Sequence, residues 1–191
     1  MADSTPTEEE IRRTVAQVVT GYLASATSDE GPVTDQTSLG TLAIGADHGG
    51  FALKERLAAD LRDRGYTVRD CGTHSTDSVD YPDIAHAVAR EVATGACQVG
   101  VVIDGAGIGS AMAANKVPGV RAATCWDISS ARNSREHNHA NVLALGAGLL
   151  GENLARDILN AWLSTAVGPD RHARRVAKIS ELEARYGTRL E

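Results

Sequence analysis

The chain has 191 residues, 42% of them hydrophobic and 23% charged, as in a globular domain with one core and a short appendage. A net charge of −6, from 19 basic and 25 acidic residues, excludes a global basic field for nucleic acid, so any anionic ligand must be met by local cations. No stretch approaches the roughly 20 apolar residues of a membrane span, and the acidic N-terminus lacks the basic start of a secretory signal, which points to a cytoplasmic protein.

In chain order, Glu8–Leu23 sets Ile11, Val15, Val18, Val19, Tyr22 and Leu23 on one face at helical spacing. Thr5 as N-cap, Pro6 in the first turn and Glu8 three residues after the cap supply a start signal. Residues 24–40 are rich in Ser, Thr, Gly and acid without a hydrophobic period, which predicts a linker. The organisation read from this is an amphipathic N-terminal helix within residues 1–23, a linker over 24–40 and a folded domain over 41–191.

Beyond the linker, strand and helix patterns alternate. Strands are expected at Leu42–Gly45, Thr67–Asp70, Gln98–Ile103, Val120–Thr124 and Asn141–Leu145. Helices are expected at Gly49–Arg64, Pro82–Thr94, Ser110–Lys116, near Ile128–Arg135, at Glu152–Ser164 and over about Arg171–Tyr186. The run Gln98–Ile103 (QVGVVI) is continuously apolar, as in a parallel strand buried on both faces. Aromatics make up only 4% of the chain, and an aliphatic core of that kind suits helices packed over a parallel sheet. The fold class is therefore α/β, a three-layer, doubly wound, five-stranded parallel sheet with right-handed crossovers. Ligands of such sheets bind beyond the carboxyl ends of the strands.

Several of those turns carry chemistry. GADHGG (Gly45–Gly50) puts Asp47 and His48 directly after the first strand, at a helix start that attracts anions; a plain capped turn is the simpler reading. IDGAGIGSAMAANK (Ile103–Lys116) spaces Gly105, Gly107 and Gly109 so that backbone N–H groups, including that of Ile108, converge on one spot. Such a nest holds a phosphate or an oxyanion. A dinucleotide fingerprint is the rival, but it belongs after the first strand and this loop follows the third. Asp104, at the mouth of the loop, is open to two roles. It is a proton-abstracting base if burial raises its pKa, or an acceptor for the loop's own amides, which would lower it. His137 and Asn138, in SREHNHANVLALG, bring an imidazole able to shuttle protons near neutrality. Arg171 and Arg175 stand at i, i+4, a spacing that fits two guanidinium groups on one phosphate and equally an exposed helix face. Cys71, Cys97 and Cys125 are odd in number and lack metal-ligand spacing, so they read as reduced thiols.

Taken together, GADHGGFALK, GT…DYPD, the Gly loop with AANK, SREHN followed by NVLALG, and RHxxRV resemble the ribose-5-phosphate isomerase B family, which includes the galactose-6-phosphate isomerase subunits. The resemblance covers about 145 residues in unbroken order. It implies a Rossmann- or flavodoxin-like sheet in the order 2-1-3-4-5 and an obligate homodimer, leaving open whether dimers pair into tetramers. It also implies an active site between subunits, a last helix that crosses to the partner, and no metal or organic cofactor. The implied reaction is aldose–ketose isomerisation of a sugar phosphate through a cis-enediolate, ribose 5-phosphate to ribulose 5-phosphate in the first place. By the resemblance, Asp47 and His137 assist ring opening, and His48, Arg171 and Arg175 meet the phosphate. Tyr81 lines the pocket, while Asn138 and the amides of Gly105 to Gly109 stabilise the enediolate.

This chain departs from the family pattern in three respects, at four positions. Asp104 stands where many members carry a catalytic cysteine, and Ser110 where others place a glutamate. Ala106 replaces a Ser or Thr that helps move the hydroxyl proton, and Gly148 replaces an Arg that contributes to phosphate binding. A carboxylate is chemically adequate for taking a carbon-bound proton, which makes Asp104 the candidate base. The departures also raise two alternatives: a tetrose, other pentose or hexose phosphate as substrate, or a non-catalytic sugar-phosphate-binding or assembly subunit. The N-terminal extension resembles the encapsulation peptides that bring enzymes into bacterial microcompartments, with a shell protein as the implied partner of residues 1–23. Packing of that helix on its own dimer is the alternative. No nucleic-acid or membrane partner is implied.

Overall fold

The computed structural model describes residues 39–186. The chain divides into two units, Met1–Thr37 and Ser38–Glu191, and everything below concerns the second. The helix expected within residues 1–23 lies outside the described residues, as does the linker expected at 24–40 except for its last two residues. Those two belong to the domain: Leu39 N–H donates to the Gly65 carbonyl at 3.1 Å, and the Gly40 carbonyl accepts from Thr67 N–H at 3.0 Å.

The elements alternate as the hydrophobic pattern predicts. They are β1 (Thr41–Ala46), α1 (Phe51–Asp63), β2 (Thr67–Asp70), α2 (Tyr81–Ala93), β3 (Val99–Asp104), α3 (Ile108–Ala114), β4 (Ala122–Thr124), α4 (Ile128–Asn138), β5 (Val142–Gly146), α5 (Glu152–Ser164) and α6 (Arg171–Tyr186). All strand pairings are parallel. The strand order is 2-1-3-5-4, not the 2-1-3-4-5 implied by the resemblance. β5 inserts between β3 and β4, with Leu143 paired to Val101 on one side and Ala123 on the other. The physical reason lies in the two segments. VLALG in β5 is buried at every position, whereas the three residues of β4 are all only partly buried, as suits an edge.

Side chains alternate between the faces of the sheet. Leu42, Ile44, Val101, Ile103, Leu143 and Leu145 pack with Leu57 and Leu61 of α1, Ala131 of α4, and Ile158, Leu159 and Trp162 of α5. Ala43, Val102, Val142 and Ala144 pack with Ala85, Val88 and Ala89 of α2 and Ala111 and Ala114 of α3. This division follows from right-handed crossovers. The steps β1→β2 and β4→β5 run in one direction along the sheet, so α1 and α4 share a face; β2→β3 and β3→β4 run the other way, so α2 and α3 share the opposite one. Among the described residues, no helix is long and apolar enough to cross a membrane.

α6 is the exception to this close packing. It buries only His172 and Val176, and its residues Ile179, Leu182 and Tyr186 remain exposed. Those three side chains border a cavity of about 740 Å³ whose other walls include Val120, Arg121, Ala122 and Asn138.

Candidate active site

Parallel strands bring two carboxylates to neighbouring positions. Ala46, the last residue of β1, pairs with Ile103 of β3, so Asp47 and Asp104 follow on adjacent strand ends, roughly 5 Å apart in the direction across the sheet. Asp47 is buried, its N–H donates to the Ile103 carbonyl at 3.1 Å, and its Oδ1 accepts from Gly50 N–H at 3.0 Å. His48 is exposed at the same edge, and its Nδ1 accepts from Val79 N–H at 3.4 Å. The segment through Val79 leads directly into α2, where Tyr81 lies over the glycine loop. A Cβ added at Gly109 would sit 2.6 Å from the Tyr81 ring, so only glycine allows that approach.

Asp104 is buried and its carboxylate is fully engaged. Oδ1 accepts from the N–H groups of Ala106, at 2.8 Å, and Gly107; Oδ2 accepts from Ser110 N–H at 2.8 Å. Gly107 makes this possible by turning at φ +77°, which aims successive amides inward. Burial alone would raise the Asp104 pKa, but the hydrogen bonds from Ser110, Gly107 and Ala106 outweigh it and hold the carboxyl below its ordinary value of 3.8. Of the two roles open to Asp104, the loop-binding contact is thus present in the fold, and the raised pKa is not. The carboxylate occupies part of the nest that would cradle a substrate oxyanion.

A second group lies at the other edge of the sheet. α4 runs from the carboxyl end of β4 back to the amino end of β5, about 16 Å for its 11 residues. His137 and Asn138 sit in its last turn rather than in a loop, and therefore lie at the edge opposite to Asp47 and Asp104. α6 begins beside them. The rings of His137 and His172 stack at 4.3 Å between centroids and 14° between planes, and Arg171 Nε–H donates to His172 Nε2 at 3.1 Å. Arg171 and Arg175 are exposed. Glu136, His137 and His172 bring ligand atoms within 4.8 Å of one another. Near-parallel rings direct their in-plane lone pairs into separate planes, so the trio as placed does not converge on one ion.

One chain therefore divides the predicted constellation in two. Asp47, His48, Tyr81, Asp104 and the amides of Gly105, Gly107, Ile108 and Gly109 gather at the carboxyl edge. His137, Asn138, Arg171 and Arg175 gather at the amino edge. Gly148, where the family pattern has Arg, lies against the glycine loop: its N–H donates to the Gly105 carbonyl at 2.9 Å, and an added Cβ would sit 2.9 Å from that oxygen. A side chain here requires the loop to shift.

Three contributors were given no role from sequence. Ser110 supplies a hydrogen bond that holds Asp104. Lys54 is fully buried, with Nζ 2.6 Å from Asp70 Oδ2 and 2.8 Å from the Thr73 carbonyl. Gly72 and Thr73 hydrogen-bond in turn to Ala46, so Lys54 braces the turn that abuts Asp47. A lysine on the apolar stripe of α1, between Leu53 and Leu57, is the signal that could have revealed it. His172 lies inside the RHxxRV motif, but its ring contact is tertiary and no spacing announces it. Cys71, Cys97 and Cys125 are free, and burial together with Glu91 pushes the Cys71 thiol up to about 11, far from thiolate chemistry at neutral pH.

The family model for ribose/galactose isomerases matches residues 42–179. Ribose-5-phosphate isomerase B of Escherichia coli is 44% identical over 144 residues, covering 75% of this chain and 97% of that one. D-erythrulose-4-phosphate isomerase of Pectobacterium atrosepticum is 40% identical over 144 residues, covering 75% and 95%. Among solved structures, ribose-5-phosphate isomerase B of Clostridium thermocellum superposes with a TM-score of 0.76 at 52% identity, covering 76% of this chain and 99% of its own. Both carboxyl-edge and amino-edge clusters fall within the matched span. The chain belongs to the ribose/galactose isomerase family.

Proposed function

We propose that this chain is an aldose–ketose isomerase of sugar phosphates, converting ribose 5-phosphate to ribulose 5-phosphate through a cis-enediolate, and that its working unit is a homodimer. The observation that carries the reading is the division of the site. One edge holds carboxylates and an anion nest, the other an imidazole and two guanidinium groups, and the roles implied by the resemblance draw on both. A two-fold dimer brings the amino-edge cluster of one subunit to the carboxyl-edge cluster of the other and completes two equivalent sites. Asp47 and His137 then assist ring opening, His48, Arg171 and Arg175 bind the phosphate, and Tyr81 closes the pocket wall. Asn138 and the amides of Gly105, Gly107, Ile108 and Gly109 stabilise the enediolate.

Asp104 is the candidate base. It is ionised in every molecule at neutral pH, but the amides that hold it make it a weak acceptor. Those amides are also the nest for the developing oxyanion, so charge on the substrate competes with Asp104 for them and restores basicity as the proton leaves carbon. A second reading, favoured by the same hydrogen bonds, makes Asp104 a loop anchor and gives the proton transfer to another group. The test is turnover of ribose 5-phosphate by the purified protein beside Asp104→Asn, which keeps an acceptor oxygen for the loop. Loss of about 100-fold or more in kcat with the fold intact supports the base. Loss below tenfold supports the anchor. Absence of turnover by the parent protein removes ribose 5-phosphate. Tetrose phosphates are screened next, because a relative at 40% identity is a D-erythrulose-4-phosphate isomerase and Gly148 removes a phosphate contact. Binding of every candidate without turnover supports a non-catalytic subunit.

Residues 1–23 are proposed to be a separate targeting element that brings a cytoplasmic enzyme to a microcompartment shell. The support is their amphipathic spacing and the family match, which begins only at residue 42. A chain lacking residues 1–38 is expected to turn over at the parental rate and to lose co-sedimentation with shell protein; retained co-sedimentation refutes the assignment.

A further inference from the structure

The amino-edge cluster contains a residue that none of the roles above uses. We infer that His172 is the positioning residue of that cluster, carrying the ring of His137 on one face and steering the Arg171 guanidinium through Nε2, so that the proton-shuttling imidazole and a phosphate-binding cation are fixed relative to each other. This inference rests on the isomerase reading for its kinetic consequences but not for its structural ones.

The geometry supports it at each contact. His172 is 5% exposed and lies in the first turn of α6. A guanidinium is always protonated, so an Arg171 Nε–H donating to His172 Nε2 requires a lone pair on that nitrogen. His172 is then neutral, with its hydrogen on Nδ1, which is buried without a partner among the described residues. Burial first, and then His137, Arg171 and Arg175, oppose a charge on the ring, against Glu136, which favours one. A neutral platform avoids the repulsion that two stacked imidazolium rings would suffer. His137 is held at its edges as well: Nδ1 lies 3.0 Å from Asn133 Nδ2, and Nε2 lies 3.8 Å from Glu136 Oε1. The approach of α6 is itself pinned to the end of α4. Gly168 N–H donates to the Glu136 carbonyl at 2.8 Å, and His139 Nε2 lies 2.7 Å from the Gly168 carbonyl. The stack is thus built into the fold at both edges of His137 and at the approach to α6.

Two variants separate the two duties. His172→Phe keeps a flat ring for His137 but removes the acceptor for Arg171; His172→Gln keeps an acceptor near the Nε2 position and removes the ring. The expected result is a KM for sugar phosphate raised about tenfold in His172→Phe with kcat within about threefold, and the reverse split in His172→Gln. Equal effects of both variants on kcat and KM, following a common loss of thermal stability, overturn the inference. Nuclear magnetic resonance of the wild-type imidazoles provides a readout that needs neither turnover nor a folded variant. His172 is expected as the neutral Nδ1–H tautomer at pH 7.5, with ring-to-ring cross-peaks to His137; an Nε2–H tautomer, an imidazolium or no cross-peak overturns it. Wild-type protein that shows the stack but turns over no sugar phosphate refutes the proposed reaction and leaves the structural assignment standing.

Discussion

Asp104 shows how one residue's role depends on groups that sequence spacing does not rank. A carboxylate after a buried strand is pushed toward neutrality by desolvation and away from it by amide donors, and here the amides of Ala106, Gly107 and Ser110 win. The sign of the pH effect follows. A carboxyl whose folded pKa lies below its unfolded value stabilises the protein above that unfolded value, and the contribution disappears as pH falls through the folded one. Urea midpoints are therefore expected to drop between pH 5 and pH 3 in the parent protein, with a shallower drop in Asp104→Asn. His172 works in the opposite pH range. Its folded pKa lies below the ordinary 6.5, so the unfolded chain binds the extra proton first and stability declines as pH falls below about 6.5. His172→Phe is expected to flatten that decline; an unchanged slope would mean that the ring is charged in the folded protein. Lys54→Met leaves Asp70 and the Thr73 carbonyl without their buried donor, and a loss of about 3 kcal/mol is expected by urea titration.

At the scale of elements, the strand order predicts where stability resides. β5 is flanked by strands on both sides and buried throughout, while β4 is a three-residue edge. Leu143→Ala is expected to cost about 2–5 kcal/mol, and Ala123→Gly about 1 kcal/mol or less. Amide exchange is expected to be slower over Val142–Leu145 than over Ala122–Thr124; comparable rates would argue against a central β5. The order itself was legible in part. VLALG is as continuously apolar as VGVVI of β3, the mark of a strand covered on both faces, whereas β4 is short and follows Arg121 directly. The expectation 2-1-3-4-5 came from a fold-level precedent, and burial of these particular segments decides otherwise. Helix ends were less legible than helix centres. α4 continues three residues beyond the expected Arg135 because its capping box at Asp127 and Ser130 secures the start and His139 ends it in the left-handed region at φ 51°.

For the whole molecule, the proposed dimer makes catalysis a property of two chains. Asp47→Asn disables the carboxyl-edge cluster and His137→Asn the amino-edge cluster, so each variant alone is expected to be nearly inactive. Mixed by co-refolding, they are expected to recover about a quarter of the parental rate, because random pairing makes half of the dimers mixed and each mixed dimer has one intact site. No recovery, with mixed dimers demonstrated by mass, would place both clusters in a site within one chain. The exposed stripe Ile179, Leu182 and Tyr186 on α6, beside a cavity of about 740 Å³, is the apolar surface that such pairing would cover.

The amino-acid sequence by itself determined the alternation of strand and helix, the parallel sheet and the identity of the polar residues beyond its strands. Those features rest on local periodicity and on residue type, which are properties of contiguous segments. Only the tertiary structure decided that β5 lies inside β4, that the Asp104 carboxylate is held by Ser110 and the glycine loop, and that His137 stacks on His172 at the edge opposite Asp47. Each depends on which distant segments meet. The 11 residues of α4 carry the chain across the full depth of the domain, so residues that look like members of one motif cluster end on opposite edges of the sheet.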